Sequence, residues 1–413
     1  MRLETRPPGW RPASPFDRVR VTVAPGGADF EGDTHRPIQA AVEYVAAFGG
    51  GTVEVLPGTY RMGNAVHLRP WVRLVGHGDA TVLLKNPSFT TPLVDDTDWY
   101  DWTAAVEDPS GFEVGGGLFL RAKSTQGSAG GGHTKHTITA IEGNVLTLDR
   151  QPRKNLWLKG EATASTLFPI LTANWVNDIA IEGITLDGNR DQNENLNGNY
   201  GGGIFLQDCE RVRIAGVTSR NYNGDGFSWQ ICHDVTVEDC RSLDNRDLGL
   251  HPGSGSQRPV IRNNEVRNCG IGLFWCWGVK HGLAEGNTLS GSGEFGISVG
   301  YRDTDNVMRN NRVLESRHAA VLFREGSSPD RSAPHRCVVE GNLLQGGGTA
   351  KTPAIAIRID GAPDGLVIRG NHIINPEGSH LATGIRIGPR VTHVTLEGNT
   401  FEGVATTVED QRG

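Results

Sequence analysis

A short pattern that returns roughly every 22 to 24 residues constrains this chain more than any other feature. It reads Ile204-Phe205-Leu206-Gln207, Phe227-Ser228-Trp229-Gln230, Leu248-Gly249-Leu250-His251, Ile271-Gly272-Leu273-Phe274 and Ile297-Ser298-Val299-Gly300. Each alternates apolar residues with others at the period of a strand. A second run follows at a similar offset: VTVEDC at 235–240, IRNN at 261–264, AEGN at 284–287, MRNN at 308–311, VVEGN at 338–342, VIRGN at 367–371 and VTLEGN at 394–399. A unit this short cannot bury its apolar face alone, so the coils must stack, and the expected fold is an all-β parallel β-helix, a solenoid. Asn264, Asn287, Asn311, Asn342, Asn371 and Asn399 then form an internal ladder, each amide bonding the coils above and below.

A solenoid grows in one dimension, so 413 residues need not divide into separate globules. With 56 Gly and 37% hydrophobic residues the chain is turn-rich and carries no membrane-spanning run. A net charge of −7 without a basic stripe argues against nucleic acid as a partner. Of six cysteines, Cys209 and Cys232 lie 23 apart, at one point of successive coils, and are expected to be reduced and stacked. No cysteine or histidine spacing suits zinc. The first residues, MRLETRPPGWRP, lack the apolar core of a signal peptide. A cytoplasmic protein and a secreted one with its leader removed both fit.

Three parts are expected: 1–86, a lead, a capping helix and the first coils; 87–167, a small β insertion; and 168–413, the main coils. Asp33 or Thr34 can N-cap a helix at 37–48 with Pro37 in its first turn, and Ile38, Ala41, Val42 and Val45 share one face. Such a helix covers the open apolar end that a solenoid otherwise exposes. The insertion interrupts the period. It holds the acidic aromatic run DDTDWYDW and a hairpin at 136–149 turning at Gly143-Asn144, and Trp99, Tyr100 and Trp102 can wall a cleft.

Gly32-Asp33, Ile38-Gln39-Ala40-Ala41, Gly50-Gly51-Thr52-Val53 and Pro57-Gly58-Thr59-Tyr60 resemble the N-terminal motif of the pectate-lyase superfamily, also met in phage tailspikes. The resemblance implies a right-handed parallel β-helix acting on carbohydrate. It does not select among lyases, hydrolases, epimerases and adhesive spikes.

With apolar strand positions inward, Gln207, Gln230, His251, Phe274, Gly300, Arg324, Arg358 and Gly388 form one outward column. Phe205, Ser228, Gly249, Gly272, Ser298, Leu322, Ala356 and Arg386 form the other. Asp225 and Asp247 precede successive strands, about 4.8 Å apart at equivalent turns, so they can flank one sugar-sized site with His251. Gln207, Gln230, Arg302 and Arg324 supply polar contacts, and Trp275, Trp277 and Tyr301 supply faces for sugar rings. Asp225, Asp247 and His251 are the candidate catalytic residues.

Two carboxyls in one cleft suit glycoside hydrolysis, one as acid and one as base or nucleophile. Asn223-Gly224-Asp225-Gly226 followed by Asp247 is similar to the polygalacturonase family's Asn-x-Asp-Gly and aspartate pair. Residue 246 is Arg where that family has its other aspartate, and the family's Gly-His-Gly and Arg-x-Lys motifs are absent. Elimination next to a uronate would instead use His251 as base, Arg324 or Arg302 to neutralise the carboxylate and Tyr301 as acid. No cofactor is required for hydrolysis. A calcium-dependent lyase would have only Asp187, Asp191, Asp225 and Asp247 to offer. A third reading is a glycan-binding solenoid without turnover. In each the partner is a polysaccharide or oligosaccharide, and homo-oligomers are compatible with the pattern.

Overall fold

The structure is a computed structural model describing residues 14–125, 132–196, 200–326 and 332–412. The N-terminal run MRLETRPPGWRP lies outside these residues. Successive coils pair in parallel and in register along three faces. The first runs from Arg20–Ala24 through Glu210–Ala215 and Val260–Arg262 to Val394–Glu397. The second runs from Gly58–Met62 through Thr218–Arg220 to Thr400–Glu402. The third is an eleven-stranded sheet from Val66–His67 to Thr406–Asp410. The chain is a parallel β-helix, as the repeat requires.

Inward residues stack like on like. Val53, Leu74, Ile181, Ile214, Val237, Ile261 and Ala284 form one column of the core. Ile204, Phe227, Leu250, Leu273, Ile297 and Val321 form the facing one. At the turns the asparagine ladder holds: Asn264 donates from its amide to Asn287 Oδ1 at 2.9 Å and to the Val237 carbonyl at 3.0 Å, and Asn287 repeats this one coil on. Cys240 occupies the rung before Asn264, its N–H donating to Asn264 Oδ1 at 2.9 Å. All six cysteines are free and buried, and the Cys209 N–H points to Cys232 Sγ at 3.4 Å.

The helix His35–Ala47 caps one end. Thr34 Oγ1 accepts from the Arg36 N–H at 3.3 Å, and Ile38, Ala41, Val42 and Val45 are buried in the main core. No helix among the described residues is long and apolar enough to cross a membrane. Between Thr90 and Ser165 six antiparallel strands form a separate sheet with its own core of Leu93, Val106, Leu120, Leu146 and Leu156. Its two ends meet where the Thr166 N–H donates to the Phe89 carbonyl at 2.9 Å. Trp99, Tyr100 and Trp102 remain exposed on it.

Candidate functional site

Glycines set the register of the third face. Gly203, Gly226, Gly249, Gly272 and Gly296 occupy one corner of successive coils, where a Cβ would come 2.2 Å from Ser242 Oγ at Gly226 and 2.1 Å from Val313 at Gly296. Side chains are excluded there, so the glycines align and Leu250 lies level with Phe227. His251 therefore stands beside Ser228, and the expected pairing with Gln230 is corrected by two residues. The outward column runs His67, Thr172, Phe205, Ser228, His251, Phe274, Ser298 and Leu322. Asp225 is level with Leu248, and the Asp247 N–H bonds the Gly224 carbonyl at 3.0 Å, so the two aspartates do not occupy equivalent turns.

The corrected register brings Asp225 and His251 together. His251 Nδ1 and Asp225 Oδ2 are 2.7 Å apart, and both residues are 3% exposed. Asp225 Oδ1 accepts the Leu248 N–H at 3.1 Å, and Ser228 Oγ lies 3.3 Å from His251 Nδ1. His251 Nε2 has no hydrogen-bond partner among the described residues. Burial pushes the Asp225 carboxyl up, opposed by His251 and reinforced by the charge of Asp247. Burial alone would lower His251, but the adjoining Asp225 carboxylate outweighs it and raises the imidazole. Each group therefore holds its proton more tightly than it would in water.

Around this pair the other candidates separate. Asp247 is half-buried and accepts from Asn195 Nδ2 at 2.9 Å. Gln230 is buried, with Nε2 3.4 Å from Ser228 Oγ, and Gln207 bonds Asp208 at 3.2 Å. Phe274 stacks alongside His251 at 5.8 Å, and the Arg324 guanidinium lies 4.6 Å from the Phe274 ring while Arg324 Nε donates to Ser298 Oγ at 2.7 Å. Trp275 is a correction: it shares the inward parity of Leu273, is fully buried in the core, and offers no face to a sugar. Trp277 and Tyr301 pack together at 5.8 Å on the turn beyond the strands, where Trp277 and Arg302 are exposed. Trp277 and Arg302 border a shallow depression apart from the Asp225–His251 pair. The four aspartates weighed for calcium do not converge, since Asp187 pairs with Arg220 and Asp225 with His251. No group of three metal-ligating side chains occurs among the described residues.

Sequence reasoning missed a pocket of about 260 Å³ between the insertion and the first coils, lined by His67, Lys135, His136, Arg150, Thr172 and Asn174 among others. His67 and Thr172 belong to the outward column that continues to His251. Its residues come from segments far apart in the chain, and only the fold assembles them.

Residues 163–313 and 202–352, two overlapping stretches, match the family described as a right handed beta helix region. The chain folds as a right-handed parallel β-helix. Among solved β-helices, the A-module of the Azotobacter vinelandii mannuronan C-5 epimerase AlgE6 is 16% identical with a TM-score of 0.53, and 91% of each chain is covered. The catalytic domain of a GH87 α-1,3-glucanase in complex with tetrasaccharides is 13% identical with a TM-score of 0.54, covering 97% of this chain and 60% of that one. The tailspike of E. coli bacteriophage HK620, in complex with a pentasaccharide, is 13% identical with a TM-score of 0.53, covering 91% of this chain and 59% of that one. No curated protein sequence matches this β-helix. Likeness at this level of identity establishes the fold.

Proposed function

We propose that this protein is a carbohydrate-active enzyme that hydrolyses glycosidic bonds in a polysaccharide or oligosaccharide laid along the third face. The observation that carries this reading is the Asp225–His251 pair. A solenoid asks for apolar inward residues and small or polar turns, and nothing in its packing calls for a buried charged pair on an outward face. In this reading the proton held by Asp225 and His251 passes to the leaving oxygen; His251 Nε2 is buried, so the transfer requires the side chains covering it to move as the sugar binds. Asp247, one coil away and less buried, activates water or attacks the anomeric carbon. That an epimerase acting on mannuronan, a glucanase and a tailspike holding a pentasaccharide share the fold supports a glycan as the partner.

Elimination next to a uronate is the second reading, favoured by the row Arg324, Phe274, His251, which places a guanidinium near the pair to neutralise a carboxylate. Products distinguish the two on a polysaccharide panel: new reducing ends without ultraviolet absorbance for hydrolysis, unsaturated ends that absorb for elimination, retention without turnover for a binder. On a substrate the parent cleaves, Asp225→Asn and Asp247→Asn should each lower turnover by about 100-fold or more. Wild-type turnover in both variants would remove the hydrolase reading. An absorbing product lost in His251→Ala would replace it with elimination.

A further inference from the structure

The pocket between the insertion and the first coils has the chemistry of an anion site. Lys135 extends from the strand Gly132–Glu142, with Nζ 3.9 Å from the centre of the Phe205 ring and 5.0 Å from that of Tyr200. Among the described residues it makes no ion pair, whereas most arginines of this protein do. Rings stabilise an ammonium through their faces without neutralising its charge. Arg150 lines the same pocket and adds its positive charge, with one outer nitrogen donating to Asp149 and the other to the Lys135 backbone carbonyl. His67 faces in from the coil below, and its ring has no hydrogen-bond partner among the described residues.

We propose that this pocket is a subsite for the negatively charged group of an acidic sugar residue, a carboxylate or a sulfate ester, held chiefly by Lys135 with Arg150. The proposal rests on the reading that the third face carries a glycan, and it adds the charge of that glycan. Thr172, Phe205, Ser228 and His251 occupy successive rungs, so the pocket lies about 14 Å, three rungs, from the Asp225–His251 pair.

The charges facing Lys135 make the subsite self-reporting. Burial, then the charge of Arg150, lowers the Lys135 ammonium to about 7. Burial lowers His67 to about 4, and it also lowers His133 and His136, so none of these imidazoles is the cation at neutral pH. Asp149 lies against His136 and Arg150, and Lys154 beyond His133 is one more positive charge. An incoming anion therefore favours the charged form of Lys135, and binding near neutral pH takes up a proton.

Calorimetry on the full chain tests this with three length-matched oligosaccharides, one uronate-based, one sulfated and one neutral, in buffers of different ionisation enthalpy. An acidic ligand should bind at least about tenfold more tightly than the neutral one and draw a fraction of a proton from the buffer. Lys135→Met should erase both effects, and Lys135→Arg should keep the preference but lose the proton uptake. The tighter acidic arm identifies carboxylate or sulfate. If Lys135→Met does not fold, Arg150→Gln serves in its place and should weaken the acidic preference severalfold. Equal affinity for all three ligands, no binding of any, or an acidic preference unchanged in Lys135→Met overturns the proposal. Binding is read without turnover, so a chain that prefers acidic ligands yet cleaves none refutes only the hydrolase reading.

Discussion

Lys85 is buried to 2% exposure under the neck of the insertion, with Nζ 3.9 Å over the Phe168 ring and donating to the Thr166 carbonyl at 3.4 Å. Burial pushes its ammonium down to about 7. An unfolded lysine titrates near about 10.4. Between these values the unfolded chain binds more protons, so stability rises with pH across that window, and the cost of the buried charge is complete below about 7. Lys85→Met should raise the melting temperature most below neutrality, by on the order of 1–3 kcal/mol in stability, and the gain should shrink toward pH ~10. A gain of constant size at every pH would show that packing, not charge, is responsible. Single residues were the hardest to read from sequence. Asp225 and His251 both stand out in the sequence, but their direct contact does not, because Leu248-Gly249-Leu250-His251 alternates equally well two residues out of step. The glycines at 226, 249 and 272 carried the correction, as positions where a side chain has no room.

Elements were far more legible, because each of their demands repeats. The asparagine ladder illustrates how. Asn311 Oδ1 accepts from both the backbone and the amide of Asn287, and its own amide donates to Ala284 and Asn342. Asn311→Ala would leave buried groups on two coils unpaired, at about 1–3 kcal/mol each. We expect a loss of about 3–5 kcal/mol, with hydrogen exchange quickening first in the coils around residue 311. Asn399→Ala on the half-exposed last coil should cost much less, since water can replace the lost partners. Equal losses at the two positions would mean that the ladder is not held by buried hydrogen bonds. The cysteines belong to the same logic. Burial raises the Cys240 and Cys337 thiols to about 12 and Cys269 to about 11, so in the folded protein these three should resist alkylation near pH 8 and react after unfolding. Outside the core, Glu238, Arg262, Glu285, Arg309, Glu340 and Arg369 alternate in sign down the first face. That alternation makes a slip by one coil place like charges together.

At the scale of the molecule, the insertion is a second body with its own core, attached to the solenoid where Phe89 and Thr166 meet. Its break in period was visible in the sequence, but the pocket it creates was not, since no periodicity relates Lys135 or Arg150 to His67 and Thr172. Because the neck is closed by a backbone hydrogen bond, residues 90–165 can be replaced by a short glycine linker without stretching the coil that carries them. The excision uncovers Phe168, which packs against Gly117, and Phe205, which lies under Lys135, and this costs apolar burial. The shortened chain should therefore keep the far-ultraviolet signature of a β-helix and a cooperative melt at lower temperature. It should also lose the preference for acidic oligosaccharides, because Lys135 and Arg150 leave with the insertion. A chain that does not fold would show that the insertion is part of the solenoid's stability and not an appended body. A chain that folds and still prefers acidic ligands would move the anion site onto the coils themselves.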